Sequence, residues 1–190
     1  MKMLILCLYF KEKMNKINLH NKNFNLFIES SKIQKAIKDI AIKINSDYSD
    51  KKPLFIGVLN GSFMFFADLI RQFTGECDVS FIKLESYEGT SSTGIVKELI
   101  GLREDLSDRD IIIIEDIVDT GNTIETLYEI ILKKNPKSLN TATLLFKPNA
   151  YTKEIEILYK AIEVGNEFLV GYGLDYDGLG RNLNDIYIVE

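Results

Sequence analysis

The chain has 190 residues, a net charge of −5 and a pI near 5.1, with 46% apolar and 27% charged residues. That composition suits one globular domain with a substantial core, and it excludes intrinsic disorder and a generally basic surface for nucleic acid. A phosphate-binding site on so acidic a chain has to gather cations and backbone N–H donors locally. Cys7 and Cys77 match neither a disulfide framework nor a zinc spacing, which points to a reducing, cytoplasmic compartment. The single histidine, His20, lies outside any nucleophile–base pattern, which argues against Ser-His-Asp or Cys-His catalysis.

The opening stretch MKMLILCLYFKEKMNK carries an apolar run over 3–10, far short of a membrane span and without a small-residue cleavage site. Residues 1–13 are expected to be a disordered extension, with translation starting at Met1 or Met14, and 14–190 a single domain. From Glu29 to Tyr48, apolar Ile33, Ile37, Ile40, Ala41 and Ile44 recur at helical spacing, with Ser30 or Ser31 as cap. PLFIGVL, Pro53 to Leu59, reads as a short buried strand broken by Asn60-Gly61-Ser62. FMFFADLIRQF (63–73) resumes as a helix. Val79 to Tyr87 alternates as a strand, 88–94 is a polar glycine-flanked loop, and IVKELI (95–100) is another short strand.

DIIIIEDIV, Asp110 to Val118, is a continuous β-branched run of the kind found in a central parallel strand. NTIETLYEIILKK (122–134) predicts an amphipathic helix stopped by Asn135-Pro136. Strands are expected over Ser138–Lys147 and Glu167–Tyr176. Strand, helix, strand, helix, strand is the pattern of an α/β sheet wound in parallel, and ligands of such sheets sit beyond the carboxyl ends of the strands.

Those ends carry Asn60-Gly61-Ser62, a Gly/Ser/Thr loop, Glu115-Asp116, Asp119-Thr120-Gly121-Asn122-Thr123, Lys147-Pro148 and Asp175-Tyr176. A tight turn over 119–123, between strand and helix, aims free N–H groups and two threonine hydroxyls at whatever lies above the helix N-terminus, which makes an anion site. It is neither a P-loop nor a G-x-G-x-x-G fingerprint. The bland alternative is that Asp119 or Thr120 caps the helix. A cap accounts for one acid, however, and Glu115, Asp116 and Asp119 fall within five residues. Adjacent strand residues face opposite ways, so Glu115 and Asp116 reach one ligand only if the strand has begun to turn. Sugar hydroxyls or a magnesium-bound ligand suit that pair. Asp119 is placed to take a proton from another reactant.

IIIIEDIVDTGNT (111–123) resembles the phosphoribosyl-pyrophosphate motif of the type I phosphoribosyltransferases, and the chain is similar in particular to the hypoxanthine-guanine branch. GVLNGSFMFFADL (57–69) resembles the pyrophosphate-binding loop and its helix. ESYEGTSSTG (85–94) resembles the mobile Ser-Tyr loop. LLFKP (144–148) resembles the purine-recognition segment, and FLVGYGLDYDGLGRNL (168–183) the stretch that covers the base. The segments run from about Met14 to the C-terminus in the family's order.

The resemblance implies a mostly parallel central sheet flanked by helices, with a small hood lobe formed by the N- and C-terminal segments. It implies purine salvage: N9 of hypoxanthine or guanine takes the 5-phosphoribosyl group from phosphoribosyl pyrophosphate, giving IMP or GMP and pyrophosphate, with Mg2+ as cofactor. By resemblance, Asn60, Gly61, Glu115, Asp116, Asp119, Thr120, Gly121, Asn122, Thr123 and Arg181 bind the phosphoribosyl donor. Asp119 is the general base near purine N7, and Ser86-Tyr87 belong to the catalytic lid. Lys147 donates to the 6-oxo group, which disfavours adenine because its amino group is also a donor. Phe168 stacks on the base, and Leu169 meets its position-2 edge through the backbone. Asp175 sits by the purine and, with Glu115 and Asp116, is a candidate metal ligand. A homodimer or homotetramer is implied, with no nucleic-acid or membrane partner.

Two departures stand out. Asn60 occupies a place where relatives often carry lysine, so only backbone contacts carry over there, with a cis peptide at Asn60–Gly61 implied by resemblance alone. Glu85 stands where some relatives have a basic residue. The alternatives are a xanthine-preferring phosphoribosyltransferase and a non-catalytic sensor of phosphoribosyl pyrophosphate. The second would call for a nucleic-acid-binding module, for which the chain has neither spare length nor a basic patch.

Overall fold

A computed structural model of the chain describes residues 15–85, 97–100, 102 and 104–190. The expected extension over 1–13 and the expected loop over 88–94 lie outside the described residues. In chain order the elements are β1 (Lys16–Leu19), β2 (Lys22–Ile28), α1 (Ser30–Tyr48), β3 (Leu54–Val58), α2 (Phe63–Ile70), β4 (Asp78–Glu85), β5 (Lys97–Ile100), β6 (Asp110–Val118), α3 (Asn122–Leu132), β7 (Ser138–Phe146), β8 (Tyr159–Glu163), β9 (Leu169–Val170) and β10 (Ile186–Val189).

The isoleucines of β6 organise the larger sheet. Ile111 and Ile113 pack with Ile124, Leu127 and Ile131 of α3, while Ile112 and Ile114 pack with α1 and α2 residues such as Ile37 and Phe65. All four isoleucines have no exposed surface. Burial on both faces is why this strand reads as an unbroken apolar run. The strand order is β5-β4-β3-β6-β7-β8. Neighbours from β4 to β8 pair in parallel, and only the edge strand β5 runs antiparallel, against β4. The expected parallel α/β sheet is therefore present, with helices on both faces.

A second sheet, order β1-β2-β10-β9, is antiparallel throughout. Its strands come from both ends of the described chain. Phe24, Val170 and Tyr187 form its own small core. Among the described residues no helix is long and apolar enough to cross a membrane.

Two local expectations are corrected. The first turn of α1 is not capped by Ser30 or Ser31: Glu29 is the N-cap, and the Ser30 N–H is satisfied from far along the chain by Asp185 Oδ1 at 2.7 Å. A distant carboxylate does what a local hydroxyl was expected to do. The strand expected over 167–176 is only Leu169–Val170, and it lies in the antiparallel sheet. Gly171 and Gly173, at φ of 103° and 101°, fold the chain back into a turn closed by Gly171–Leu174 pairing.

Candidate active site

β6 runs on past its last pairing with β3, at Gly57–Ile114, so Glu115 to Val118 form a ledge above the loop that leaves β3. Alternation slips once on this ledge. Ile117 packs on the same side as Ile112 and Ile114, and Val118 joins Ile111 and Ile113 on the α3 side. The slip falls across Glu115-Asp116, the turning that the sequence required for both acids to address one ligand. Both do line one cavity of about 370 Å3, together with Leu59, Gly61, Asn122, Thr123, Asp175 and Arg181.

Gly61 meets Asp116 too closely for any side chain: a Cβ there would lie 1.6 Å from Asp116 Oδ2. The cis peptide belongs to Leu59–Asn60, one bond before the expected Asn60–Gly61. Gly61 is needed for a different reason, the press of the Asp116 carboxylate on its backbone. Gly173 also presses on this loop; a Cβ on it would lie 2.0 Å from the Gly61 carbonyl oxygen.

The turn into α3 answers the capping alternative. The N-cap is Gly121, in left-handed backbone, and no side chain caps the helix. Neither Asp119 nor Thr120 is spent on that role. The first-turn N–H groups stay available at the positive end of the helix dipole, beside the Asn122 and Thr123 side chains. Thr120 O instead accepts from Thr152 N at 3.4 Å and Thr152 Oγ1 at 3.3 Å, which ties the turn to the segment after β7.

Asp119 and Lys147 follow directly on the last β6–β7 pair, Val118–Phe146, so they leave neighbouring strand ends side by side. Lys147 Nζ donates to Asp119 Oδ2 at 2.7 Å. Neither residue lines the cavity; their pair flanks it along the sheet edge.

The acids differ in environment. Glu115 is buried, and its Oε2 has no hydrogen-bond partner. Burial, reinforced by the neighbouring Asp116 charge, holds its carboxyl well above the usual carboxylate range. Asp175 is a well-bonded acid: Oδ1 pairs with Arg181 Nη2 at 2.5 Å, and Oδ2 accepts from Gly178 N at 2.7 Å. Arg181 Nη1 donates to Gly173 O at 2.7 Å. Asp175 therefore reaches the cavity from the turn after β9 rather than from a parallel strand end.

Phe168 and Leu169 stand outside the cavity lining. Phe168 is 44% exposed, its ring 5.8 Å from Tyr176 and 6.4 Å from Phe24, with Lys22 Nζ 5.5 Å from its centroid. Leu169 is buried as a whole, and it pairs with Ile188 in the antiparallel sheet. Ser86 and Tyr87 lie outside the described residues. Sequence reasoning missed Thr126, which lines the cavity three residues after Thr123 on the same helix face; helical periodicity was the signal. It also missed Leu59 and Leu84, for which the sequence holds no cue beyond their position next to strand ends.

Residues 28–177 match the family described as the phosphoribosyl transferase domain. The chain is 39% identical over 166 residues to a hypoxanthine-guanine phosphoribosyltransferase of Staphylococcus epidermidis, covering 87% of this chain and 93% of that protein. It is 35% identical over 174 residues to one of Aquifex aeolicus, covering 90% and 98%. Its fold superposes on a hypoxanthine phosphoribosyltransferase of Staphylococcus aureus with a TM-score of 0.82 at 36% identity, covering 87% of this chain and 91% of that one.

Proposed function

The chain belongs to the phosphoribosyltransferase family, and on that premise we propose that it transfers the 5-phosphoribosyl group of phosphoribosyl pyrophosphate to N9 of hypoxanthine or guanine. The observation that carries this reading is the convergence on one cavity of a side-chain-free loop at Gly61, an acid pair and an uncapped helix N-terminus. These three features suit, in turn, a pyrophosphate, a ribose diol and a 5′-phosphate.

In this reading the α3 N-terminus and the Asn122 and Thr123 side chains hold the 5′-phosphate, and Glu115 and Asp116 accept from the ribose hydroxyls. The Gly61 and Asn60 backbone and Arg181 receive the pyrophosphate. N9 attacks C1′; the C1′–O bond breaks, and its electron pair leaves with pyrophosphate. Asp119 takes the proton that the purine loses at N7 as the N9–C1′ bond forms. Lys147 turns its N–H donors to the purine 6-oxo group, which supports a 6-oxopurine over adenine. The exposed face of Phe168 is left for stacking on the base. Ser86-Tyr87 and the segment after them are assigned to closure over the donor, which keeps water from the sugar carbon.

Magnesium fits the donor set. The acids on the cavity offer only hard oxygens, and one of them, Glu115 Oε2, lacks a partner. Asp175, Glu115 and Asp116 would hold the ion, and when bound it offsets the charge of the departing pyrophosphate. A homodimer or homotetramer in the cytoplasm completes the proposal.

The test is turnover by the purified protein with phosphoribosyl pyrophosphate, Mg2+ and each of hypoxanthine, guanine, xanthine and adenine. Nucleotide formation from the first two is expected. Adenine as best substrate would overturn the role of Lys147, and no turnover with any purine would overturn the reading itself.

A further inference from the structure

The turn after β9 contains a tyrosine that no step above uses. Tyr172 has φ of 50°, between Gly171 at 103° and Gly173 at 101°. Left-handed backbone is costly for an aromatic residue, so something must hold it there. Its side chain is 2% exposed, and its hydroxyl donates to Asp68 Oδ2. Gln34 Nε2 donates both to Asp68 Oδ2, at 2.6 Å, and to the tyrosine oxygen, at 2.9 Å. Three separate segments, α1, α2 and the turn, thus meet at one hydrogen-bonded centre.

Both ends of this link lie on segments that lead directly to cavity residues. Asp68 lies on α2, the helix that starts directly after Gly61-Ser62. Tyr172 lies on the limb that carries Asp175 and Arg181: Tyr172 N donates to Leu183 O at 2.9 Å and Gly173 N to Arg181 O at 3.0 Å. Gly173 is pressed on the Gly61 carbonyl, where a Cβ would come within 2.0 Å, and its own carbonyl accepts from Arg181. The separation of Gly61 from the Arg181–Asp175 pair therefore depends on how the limb is tied to α2, and the tie is the tyrosine.

We propose that Tyr172, held by Asp68 and Gln34, is a positioning residue that sets the spacing between the Gly61 loop and the Arg181–Asp175 pair. The inference rests on the assignment of this cavity to phosphoribosyl pyrophosphate. Its consequence falls on the pyrophosphate end of the donor: the α3 N-terminus and the Asp119–Lys147 pair are carried by other elements, and Phe168 and Leu169, earlier on the same limb, are separately held by pairing with β10.

The molecule supplies its own control. Tyr159 is equally buried, and its hydroxyl donates to Asp47 Oδ2 at 2.7 Å. Asp47 lies at the far end of α1, roughly 20 Å along the helix from Gln34. Tyr159→Phe removes the same kind of bond at a distance from the cavity.

The experiment is steady-state kinetics and thermal melting of wild type, Tyr172→Phe, Asp68→Ala, Asp68→Asn and Tyr159→Phe. Tyr172→Phe is expected to raise the KM for phosphoribosyl pyrophosphate and the inhibition constant of pyrophosphate about tenfold, with kcat and the purine KM within about twofold. Asp68→Ala breaks the link from its more exposed end and is expected to give the same shift. Asp68→Asn keeps an acceptor for the tyrosine hydroxyl and restores the KM to within about threefold of wild type. Tyr159→Phe is expected to lower Tm comparably and leave the kinetic constants unchanged. Unchanged donor KM in both Tyr172→Phe and Asp68→Ala, or an equal shift in Tyr159→Phe, would overturn the proposal. An inactive wild type would instead overturn the activity on which it rests.

Discussion

Lys147 and Asp119 form an ion pair at 2.7 Å in which the lysine side chain is 9% exposed and the aspartate 47%. The proposed purine reader and the proposed base thus occupy each other. A 6-oxopurine offers the lysine a new acceptor and offers Asp119 a new donor at N7, so the pair exchanges one set of bonds for another. Adenine offers the lysine only a further donor and leaves a nearly buried ammonium without its bond. Lys147→Met is accordingly expected to raise the hypoxanthine KM by about tenfold or more and to shrink the discrimination against adenine. Competition assays with the two purines read this directly, and unchanged discrimination would count against the assignment.

Asp119→Asn separates base from scaffold. The amide oxygen still accepts from Lys147, so the fold and the turn into α3 are expected to persist. A loss of about 10²–10⁴ in kcat is expected, since the proton acceptor is gone. Calorimetric titration with phosphoribosyl pyrophosphate should give affinity close to wild type. Lost affinity would move Asp119 from proton transfer to donor binding.

Gly61→Ala places a methyl 1.6 Å from where Asp116 Oδ2 now sits. Either the ledge or the loop must move, and both line the cavity. Loss of about 1–3 kcal/mol of stability is expected, together with a sharply higher donor KM. A chemical-denaturation series beside initial rates measures both, and a variant with wild-type kinetics would show that the close approach is dispensable.

Glu115 links function to stability through pH. Burial, with help from the Asp116 charge, raises its folded-state pKa. Between the unfolded value, about 4.3, and that raised value the unfolded chain has released a proton that the folded chain keeps. Stability therefore falls as pH rises through this window. Glu115→Gln removes the titration, so the variant is expected to melt higher than wild type at neutral pH, with the gain vanishing below about pH 4, while its donor affinity drops. Melting curves across pH provide the check; a variant less stable at neutral pH would contradict the burial penalty.

Asp110 behaves in the opposite sense. Burial pushes its carboxyl up, but hydrogen bonds from Ser138 at 2.6 Å and Lys137 at 3.1 Å outweigh that and hold it below its usual value. A depressed folded pKa contributes stability above the unfolded value, about 3.9, which is lost as pH falls through the folded one. Asp110→Asn is expected to lower Tm at neutral pH and to converge on wild type in strong acid. A constant Tm difference across the acid range would show that charge is not the cause.

The legible parts of the molecule share a cause. β6 could be read because burial on both faces demands β-branched residues at every position, and α3 because its buried stripe of Ile124, Leu127 and Ile131 repeats at helical spacing. The antiparallel sheet was harder. β1, β2 and β10 are short or part-exposed strands without a strong pattern, and β2 finds its second partner, β10, at the other end of the chain. β9 was over-read because FLVGYGLDY looks continuous until the left-handed turn at Gly171 to Gly173 interrupts it.

By itself the sequence determined the parallel α/β core and the strand ends at Asn60-Gly61, Glu115-Asp116 and Lys147, because local patterning encodes which residues are buried and where a strand must stop. Only the tertiary structure decided how those residues divide the work. The slip across Glu115-Asp116, the Gly61–Asp116 contact, the Lys147–Asp119 pair and the Tyr172–Asp68 link all join segments distant in sequence or depend on packing against them. Side-chain direction at a strand end and hydrogen bonding between distant segments are set by three-dimensional packing, and no local pattern specifies them.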